Sequence, residues 1–584
     1  MILHALADLY DRRSKSPDPS ERPAPIGFES KPIAFVVEVD KSGELVQIRD
    51  HRTSEGKRKV GKPELVPQGV KKASGVAANL LWDSAEYVLG CPVEAKSKPT
   101  PPERLRQQHA AFRARIEDLP ASVRDDEGVR AVLRFLDRLD LDMLGKDAAW
   151  PEIVATNPIL SFRLHGDDQL VCQRPDVRRA WLDALGGQAA DGRCLVTGES
   201  AAIERLHPAI KGVWNAQTSG ANIVSFNLDA FRSYGKEQGA NAPIGKPAAA
   251  KYTTALNDLL TSGSRQRVQI GDASTVFWSE QRTPLEDDFL LLIGEPPKDD
   301  PEAGTDRVRR LYESVRTGQY LANVQGDTRF FVLGLAPNAA RIAVRFWQVG
   351  TVAEMVGRVA RWFDDIAIVH APSQSDHLSL FRLLTACAVQ GKADNVPPNL
   401  GGDILRAILA GSVLPQSWLN AAIQRCKAEQ SVTHPRAAGI KACINRRASS
   451  NEEKLTVSLD THNTNAAYRL GRLFAVFERI QEEANPGINA TIRDRYFGAA
   501  SSNPLSVFPT LNRLKNHHLA KLDNRGRARN LERLVGEVMD GLPADCPFPS
   551  ILPLNDQGRF AVGYYHQRQH PSTYRSQPEQ ESTP

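Results

Sequence analysis

At 584 residues the chain is long for one hydrophobic core, and roughly two to four domains are expected. Its 41% hydrophobic and 24% charged residues are ordinary for a globular protein, and a net charge of +5 is too small at this length to imply nucleic acid, so that case must rest on local clusters. Seven scattered cysteines (Cys91, Cys172, Cys194, Cys387, Cys426, Cys443, Cys546) with no CxxC pair point to free thiols in a reducing cytosol and exclude a disulfide framework or zinc ribbon.

The start, "MILHALADLYDRR", sets Leu3, Leu6 and Tyr10 on one helical face, with His4 and Asp8 interrupting it. It lacks the apolar run of a signal peptide, and no window approaches a membrane span, so a cytoplasmic protein is expected. "IAFVVEVD" and "GELVQIRD" predict two strands joined at 41–43. A basic, glycine-punctuated stretch over 49–72 reads as a loop, followed by a helix over 79–89 and a Pro/Lys loop, "CPVEAKSKPTPPE". Residues 102–145 read as helical, with Val129, Val132, Leu133, Leu136 and Leu139 in one stripe. Short strands and loops fill 155–231, and Pro247 opens another helix.

"FFVLGLAPNAARIAVRFWQVG", over 330–350, predicts two strands around a Pro-Asn turn. Ile342, Val344 and Phe346 share one face of the second strand; Arg341, Ala343, Arg345 and Trp347 share the other. Thr351 and Glu354 form a capping box for a helix whose Val352, Met355, Val356 and Val359 face inward, and "IAIVH" reads as a further strand. This is a compact α+β unit of the ferredoxin or RRM kind. Beyond 455, Leu470, Leu473, Phe474 and Phe477 mark a helix stopped by Pro486-Gly487, with helices at 489–500, 509–522 and 528–540 to follow. The expected fold is therefore multidomain α+β: a mixed N-terminal region over 1–255, a central α+β domain over 256–454, a C-terminal helical bundle over 455–565 and a polar tail over 566–584.

No residue set qualifies as an active site. "HQRQH" spaces His566 and His570 as zinc ligands would be, but without the intervening glutamate. "FDDIAIVH" with Asp376-His377 is only loosely like a phosphohydrolase motif, and no GxxxxGK[ST] loop is present. No metal or cofactor is expected. Nucleic acid is favoured locally. Lys57, Arg58, Lys59, Lys71 and Lys72 lie among glycines in the basic stretch, where a flexible loop follows a phosphate backbone or is simply solvated. "LNRLKNHHLAKLDNRGRARNLER" is a second basic run open to the same two readings, and "GVWNAQTSGANIVSFN" suits close backbone approach to a ligand or a tight turn.

Several segments together resemble a known family: "MILHALADLYDR", "GVAANLLWDSAEYVLG", "CLVTGESAAIERLHPAIKGVWNAQTSGANIVSFNLDAFRSYGKEQGANAPI", "FFVLGLAPNAARIAVRFW", "AYRLGRLFAVFERIQ" and "QGRFAVGYYHQRQ". The resemblance is to the large subunit of the type I-C CRISPR surveillance complex (Cascade). It implies a non-catalytic protein that reads the protospacer-adjacent motif (PAM) on double-stranded target DNA, assists strand separation, and recruits the helicase-nuclease while guide RNA pairing checks sequence. The implied partners are the guide CRISPR RNA, target DNA, the backbone, handle-binding and small subunits, and the helicase-nuclease, with no membrane.

Carried onto matched segments, Lys71, Lys72 and Asn79 are the expected PAM-proximal contacts, with Gln217, Ser219 and Gly220 second. Arg341 and Arg345 are weaker candidates. The resemblance also implies a small subunit made separately from the C-terminal part. Here Met539 is the only methionine after Met355, so that start would be a non-AUG codon near Leu455 or Val457. Competing expectations are a metal-dependent nuclease using Asp364, Asp365 and His377, and a general single-strand binder with stacking aromatics.

Overall fold

The chain enters its first sheets through β1 (Phe28–Ile33) and, one residue later, β2 (Phe35–Val39). Every position of β2 is buried, as befits a strand whose two faces are both covered. The computed structural model describes residues 1–55, 58–70, 72, 75–94, 99–187, 189–294, 305–322, 325–374, 378–449 and 452–570. The chain forms two compact units, Met1–Ile210 with Asn222–Asp258, and Lys211–Ala221 with the residues from Leu259 onward.

In the first unit, β3 (Leu45–Asp50), β4 (Arg52–Glu55), β5 (Arg58–Pro67), β6 (Trp82–Ser84) and β7 (Ile159–Leu164) complete two sheets. One is ordered β3-β2-β7-β6, with β2 and β7 parallel and the other pairs antiparallel; the second is β1-β5-β4, wholly antiparallel. The helices Pro102–Glu117 and Glu127–Asp137 bury the predicted stripe against the first sheet. Phe112 and Phe135 lie 6.2 and 5.9 Å from the Phe162 ring. Asp126 caps the second helix by accepting from Gly128 N and Val129 N. The basic stretch is not a loop over its length: β4 and β5 form a hairpin, and β5 pairs with β1 from Phe28↔Pro67 to Ile33↔Lys62. Apart from prolines, β5 carries only Val60, Leu65 and Val66 as apolar side chains, with no period of two, so its strand character comes from pairing with β1 and β4 rather than from its own pattern. The helix expected over 79–89 is β6 followed by one turn, Ala85–Val88. A two-residue pairing of β8 (Gly192–Arg193) with β9 (Ser200–Ala201) follows.

The second unit holds a four-stranded antiparallel sheet in chain order: β10 (Arg267–Ile270), β11 (Ala273–Ser279), β12 (Arg329–Asn338) and β13 (Arg341–Thr351). The expected strand pair and turn are β12 and β13. Thr351 Oγ1 accepts from Glu354 N at 3.2 Å while Glu354 Oε2 accepts from Thr351 N at 3.1 Å, completing the capping box of the helix Val352–Ile366. "IAIVH" is not a strand. Its Val369 N donates to Val457 O instead, and the sheet grows on the side of β11 and β10. Val344 is 40% exposed where alternation put it inside, because the register of β12 and β13 shifts between Gly334 and Leu335.

The helices Leu400–Ala410, Gln416–Ala428 and His434–Arg447 share one core with the C-terminal helices Ala466–Ala484, Ile492–Ala500, Pro504–Ala520 and Arg525–Asp540. The third of these C-terminal helices begins at Pro504, not near 509: Pro504 takes the first helical position after its cap Asn503, where no N–H is missed, and Pro509 lies within the same helix. A further helix, Leu554–Gln569, is buried from Gly558 to Gln567. Burial on all sides erases the amphipathic period that betrays a surface helix.

Two polar clusters are sealed inside these helices. The Glu478 carboxylate, fully buried, accepts from Tyr564 Oη at 2.6 Å and Thr491 Oγ1 at 2.8 Å. His566 Nδ1 lies 2.8 Å from Tyr468 Oη, and its Nε2 has no partner among the described residues. His566 is thus a core residue, and burial pulls its pKa down to about 4. A histidine whose folded pKa lies below its unfolded value of about 6.5 contributes stability above that pH and loses it on acidification. Melting of the second unit is expected to weaken between about pH 6.5 and 4, by roughly 3 kcal/mol across the window. Thermal scans of wild type and His566→Gln through that window check this: the variant's profile should be flatter, and parallel profiles would refute it.

Candidate nucleic-acid interface

In the first unit, folding supplies acids to the basic stretch. Lys59 Nζ sits 3.1 Å from Asp50, Lys62 Nζ 3.7 Å from Glu64, and Arg49 Nε 3.0 Å from Glu38. Arg52 binds Asp50 at 2.7 Å and also Glu152, with its guanidinium 4.5 Å from the Phe35 ring centroid. The Arg52 hydrogen bonds hold the Asp50 carboxyl well below the usual carboxylate range. Lys59 remains 60% exposed. Arg58 begins β5; Lys57 and Lys71 lie outside the described residues.

Between β5 and β6 the chain makes a braced excursion. Gly69 N donates to Glu29 Oε1 at 3.0 Å, Val70 N to Asn79 Oδ1 at 2.9 Å, and Trp82 Nε1 to Pro67 O at 2.9 Å. Asn79 is buried, and its own N donates to Asp83 Oδ2. Lys72 Nζ reaches Asp83 Oδ1 at 2.5 Å and lies 3.5 Å from the Tyr87 ring centroid, with burial pulling its pKa down. Asn79 therefore spends its amide oxygen on closing the loop, and Lys72 is tethered to Asp83. A Cβ added at Gly75 would meet nothing within 4 Å. The loop has open space there.

Gln217, Ser219 and Gly220 come together in one turn of the second unit. Gly220 N donates to Gln217 O at 2.9 Å, Gln217 and Ser219 are exposed, and Gly220 has a φ of 89° that suits glycine. The same loop displays Trp214, 44% exposed, with its backbone N held by Ser274 Oγ at 2.9 Å. On β13, Arg345 is paired with Asp272 at 2.7 Å and Arg341 opens the strand opposite Asn338. Trp347 stacks on Phe331, ring centroids 5.5 Å apart and 7° from parallel, and lies 5.6 Å from Trp278. That tryptophan is used within the sheet.

The second basic run is different. Arg513 and His517 on Pro504–Ala520 and Lys521 at its C-cap follow one another at four-residue spacing, and Arg525 and Arg529 do so on Arg525–Asp540. All five are exposed, and among the described residues none forms an ion pair. Arg527, between them, turns inward to Glu483 at 2.7 Å. A four-residue step rises about 6 Å along a helix, so the basic side chains are spaced along each of the two helices. The signal was present in the sequence: between 511 and 531 the only acid is Asp523, whereas 49–72 contains Asp50, Glu55 and Glu64.

Among the described residues no cluster of three or more His, Cys, Asp or Glu could hold a metal, and no helix is long and apolar enough to cross a membrane. Of the nuclease candidates, Asp365 accepts from Arg446 Nε at 2.5 Å, Asp364 accepts from Tyr312, and His377 lies outside the described residues. The family Cas_Csd1, described as CRISPR-associated protein, matches residues 6–571. The chain belongs to the Cas_Csd1 family. A comparison with curated proteins finds no match. Membership assigns this Cas_Csd1 chain to CRISPR defence, in keeping with the resemblance carried by its segments, and the multidomain α+β architecture is as expected.

Proposed function

We propose that this Cas_Csd1 protein is the non-catalytic large subunit of a type I-C RNA-guided surveillance complex. In this reading it recognises the PAM on double-stranded DNA, assists strand separation and R-loop formation, and recruits the helicase-nuclease. Guide CRISPR RNA and the backbone, handle-binding and small subunits are its partners. The observation that carries the reading is the family match over nearly the whole chain. The braces on Gly69, Val70 and Trp82 between β5 and β6 support it: a held backbone, with open space at Gly75, suits close approach to a groove edge. Lys71 serves phosphates there, while Lys72, tied to Asp83, and Asn79 act by holding the loop. Arg513, Lys521, Arg525 and Arg529, without ion pairs among the described residues, offer spaced charge to a nucleic-acid backbone.

Reconstituting the complex with a guide RNA and titrating target duplexes with randomised flanking motifs tests this. Binding should depend on one short motif beside the target, and Asn79→Ala should weaken motif discrimination more than overall affinity. Motif-independent binding, or Mg²⁺- or Mn²⁺-dependent cleavage by this chain that is lost with Asp365→Asn, would overturn the reading.

A further inference from the structure

One tyrosine stands where neither turn chemistry nor packing accounts for it. Residues 233–236 form a tight turn in which Ser233 and Lys236 bridge as an antiparallel pair, Lys236 N donating to Ser233 O at 2.9 Å. Both central residues have positive φ, 52° at Tyr234 and 70° at Gly235, the pattern of a type I′ turn. Such turns favour Asn, Asp or Gly at the first central position, and a residue with a Cβ costs roughly 1–2 kcal/mol there. Tyr234 recovers nothing by burial, being 98% exposed.

The turn is held rigidly from behind. Asn241 Oδ1 accepts from Ser233 N at 3.0 Å, and its Nδ2 donates to the carbonyls of Lys236 and Gln238, each at 3.1 Å. Arg232 adds ion pairs to Asp229 at 3.1 Å and Glu237 at 3.4 Å. A ring projected from a braced backbone loses little freedom on making contact. Strain retained in this way is a recurrent property of functional positions.

The neighbours indicate what the ring meets. No other apolar side chain lies between 232 and 238. A protein-docking anchor is ringed by contact surface that keeps water out; this ring has polar flanks only. A nucleobase needs one flat face, and stacking on an aromatic side chain is worth about 1–3 kcal/mol per base. Lys236, two residues on, is exposed and without an ion pair among the described residues, so it offers a cation to an adjoining phosphate. We infer that Tyr234 is a stacking finger that takes an unpaired nucleobase. The inference rests on the nucleic-acid reading above and adds a contact outside the PAM loop and the second basic run.

The test uses the full chain, a fluorescein-labelled oligothymidylate and a blunt duplex. Tyr234→Ala should weaken single-strand binding roughly 5- to 150-fold, the range that one stacked base supplies, and leave duplex binding within twofold. Tyr234→Trp should retain affinity. Tyr234→Gly, which relieves the backbone, should melt no lower than wild type yet bind as poorly as the alanine variant, separating ring from fold. Single-strand affinity of the alanine variant within twofold of wild type overturns the finger while leaving the broader reading intact. Wild type that binds neither probe, alone or assembled with guide RNA, overturns the broader reading. Loss of co-purifying protein subunits with nucleic-acid affinity unchanged would place the ring in a protein partner and also overturn the inference.

Discussion

Gly471→Ala is expected to destabilise the second unit by at least about 4 kcal/mol, the size reserved for backbone clashes and buried defects. The helices Ala466–Ala484 and Leu554–Gln569 cross so closely that a Cβ at 471 would stand 2.0 Å from Phe560 O, and one at 563 would stand 2.2 Å from Tyr468 O. Those neighbours are main-chain atoms and cannot rotate away. The helices must separate, and doing so uncovers Phe474, Phe560 and Tyr564, which pack edge to face around Phe497. Gly536→Ala is the control: it is helical, a Cβ there meets nothing within 4 Å, and replacement should stabilise by about 0.5–1 kcal/mol. Denaturant titration followed by circular dichroism reads both. A Gly471→Ala midpoint equal to wild type would show that the two helices are not in contact as described.

Replacing Arg513, Lys521, Arg525 and Arg529 together by alanine is expected to lower affinity for target nucleic acid by roughly 10²–10³ near 0.15 M salt. The plot of log affinity against log salt should become shallower by about three, as the loss of four phosphate contacts requires. Because all four are exposed and unpaired among the described residues, melting should stay within about 0.5 kcal/mol of wild type. The matching change of Lys59 and Lys62 should alter the slope far less, since Asp50 and Glu64 already neutralise them. Electrophoretic or anisotropy titrations over a salt series decide it. An unchanged slope for the quadruple variant would make the second basic run a solvated surface, and a larger effect at Lys59 and Lys62 would return the contact to the N-terminal hairpin.

The contrast between the two basic runs shows where sequence reading succeeds and where it stops. Composition locates both runs, but density of lysine and arginine does not measure available charge. Arg52 is rich in donors, yet its partners Asp50, two residues away, and Glu152, one hundred away, consume them. Only the folded chain brings Glu152 there. Asn79 shows the same limit for a polar side chain: it sits in a recognisable segment, and only the structure reveals that its oxygen closes the loop on Val70.

Patterns that depend on near neighbours were legible from residues alone. The strand pair around the Pro-Asn turn, the Thr351–Glu354 box and the stripe from Val129 to Leu139 all arise within a few residues of chain, where periodicity and capping chemistry act directly. So did family membership, because it is carried by segments of the chain itself. The outcomes that needed tertiary structure are those set by distant partners. β5 is a strand because β1 pairs with it, and Leu554–Gln569 is a helix buried on every side over Gly558–Gln567. Local sequence encodes which conformations are cheap; which charges remain unpaired and which rings remain uncovered is fixed by what the rest of the chain brings beside them.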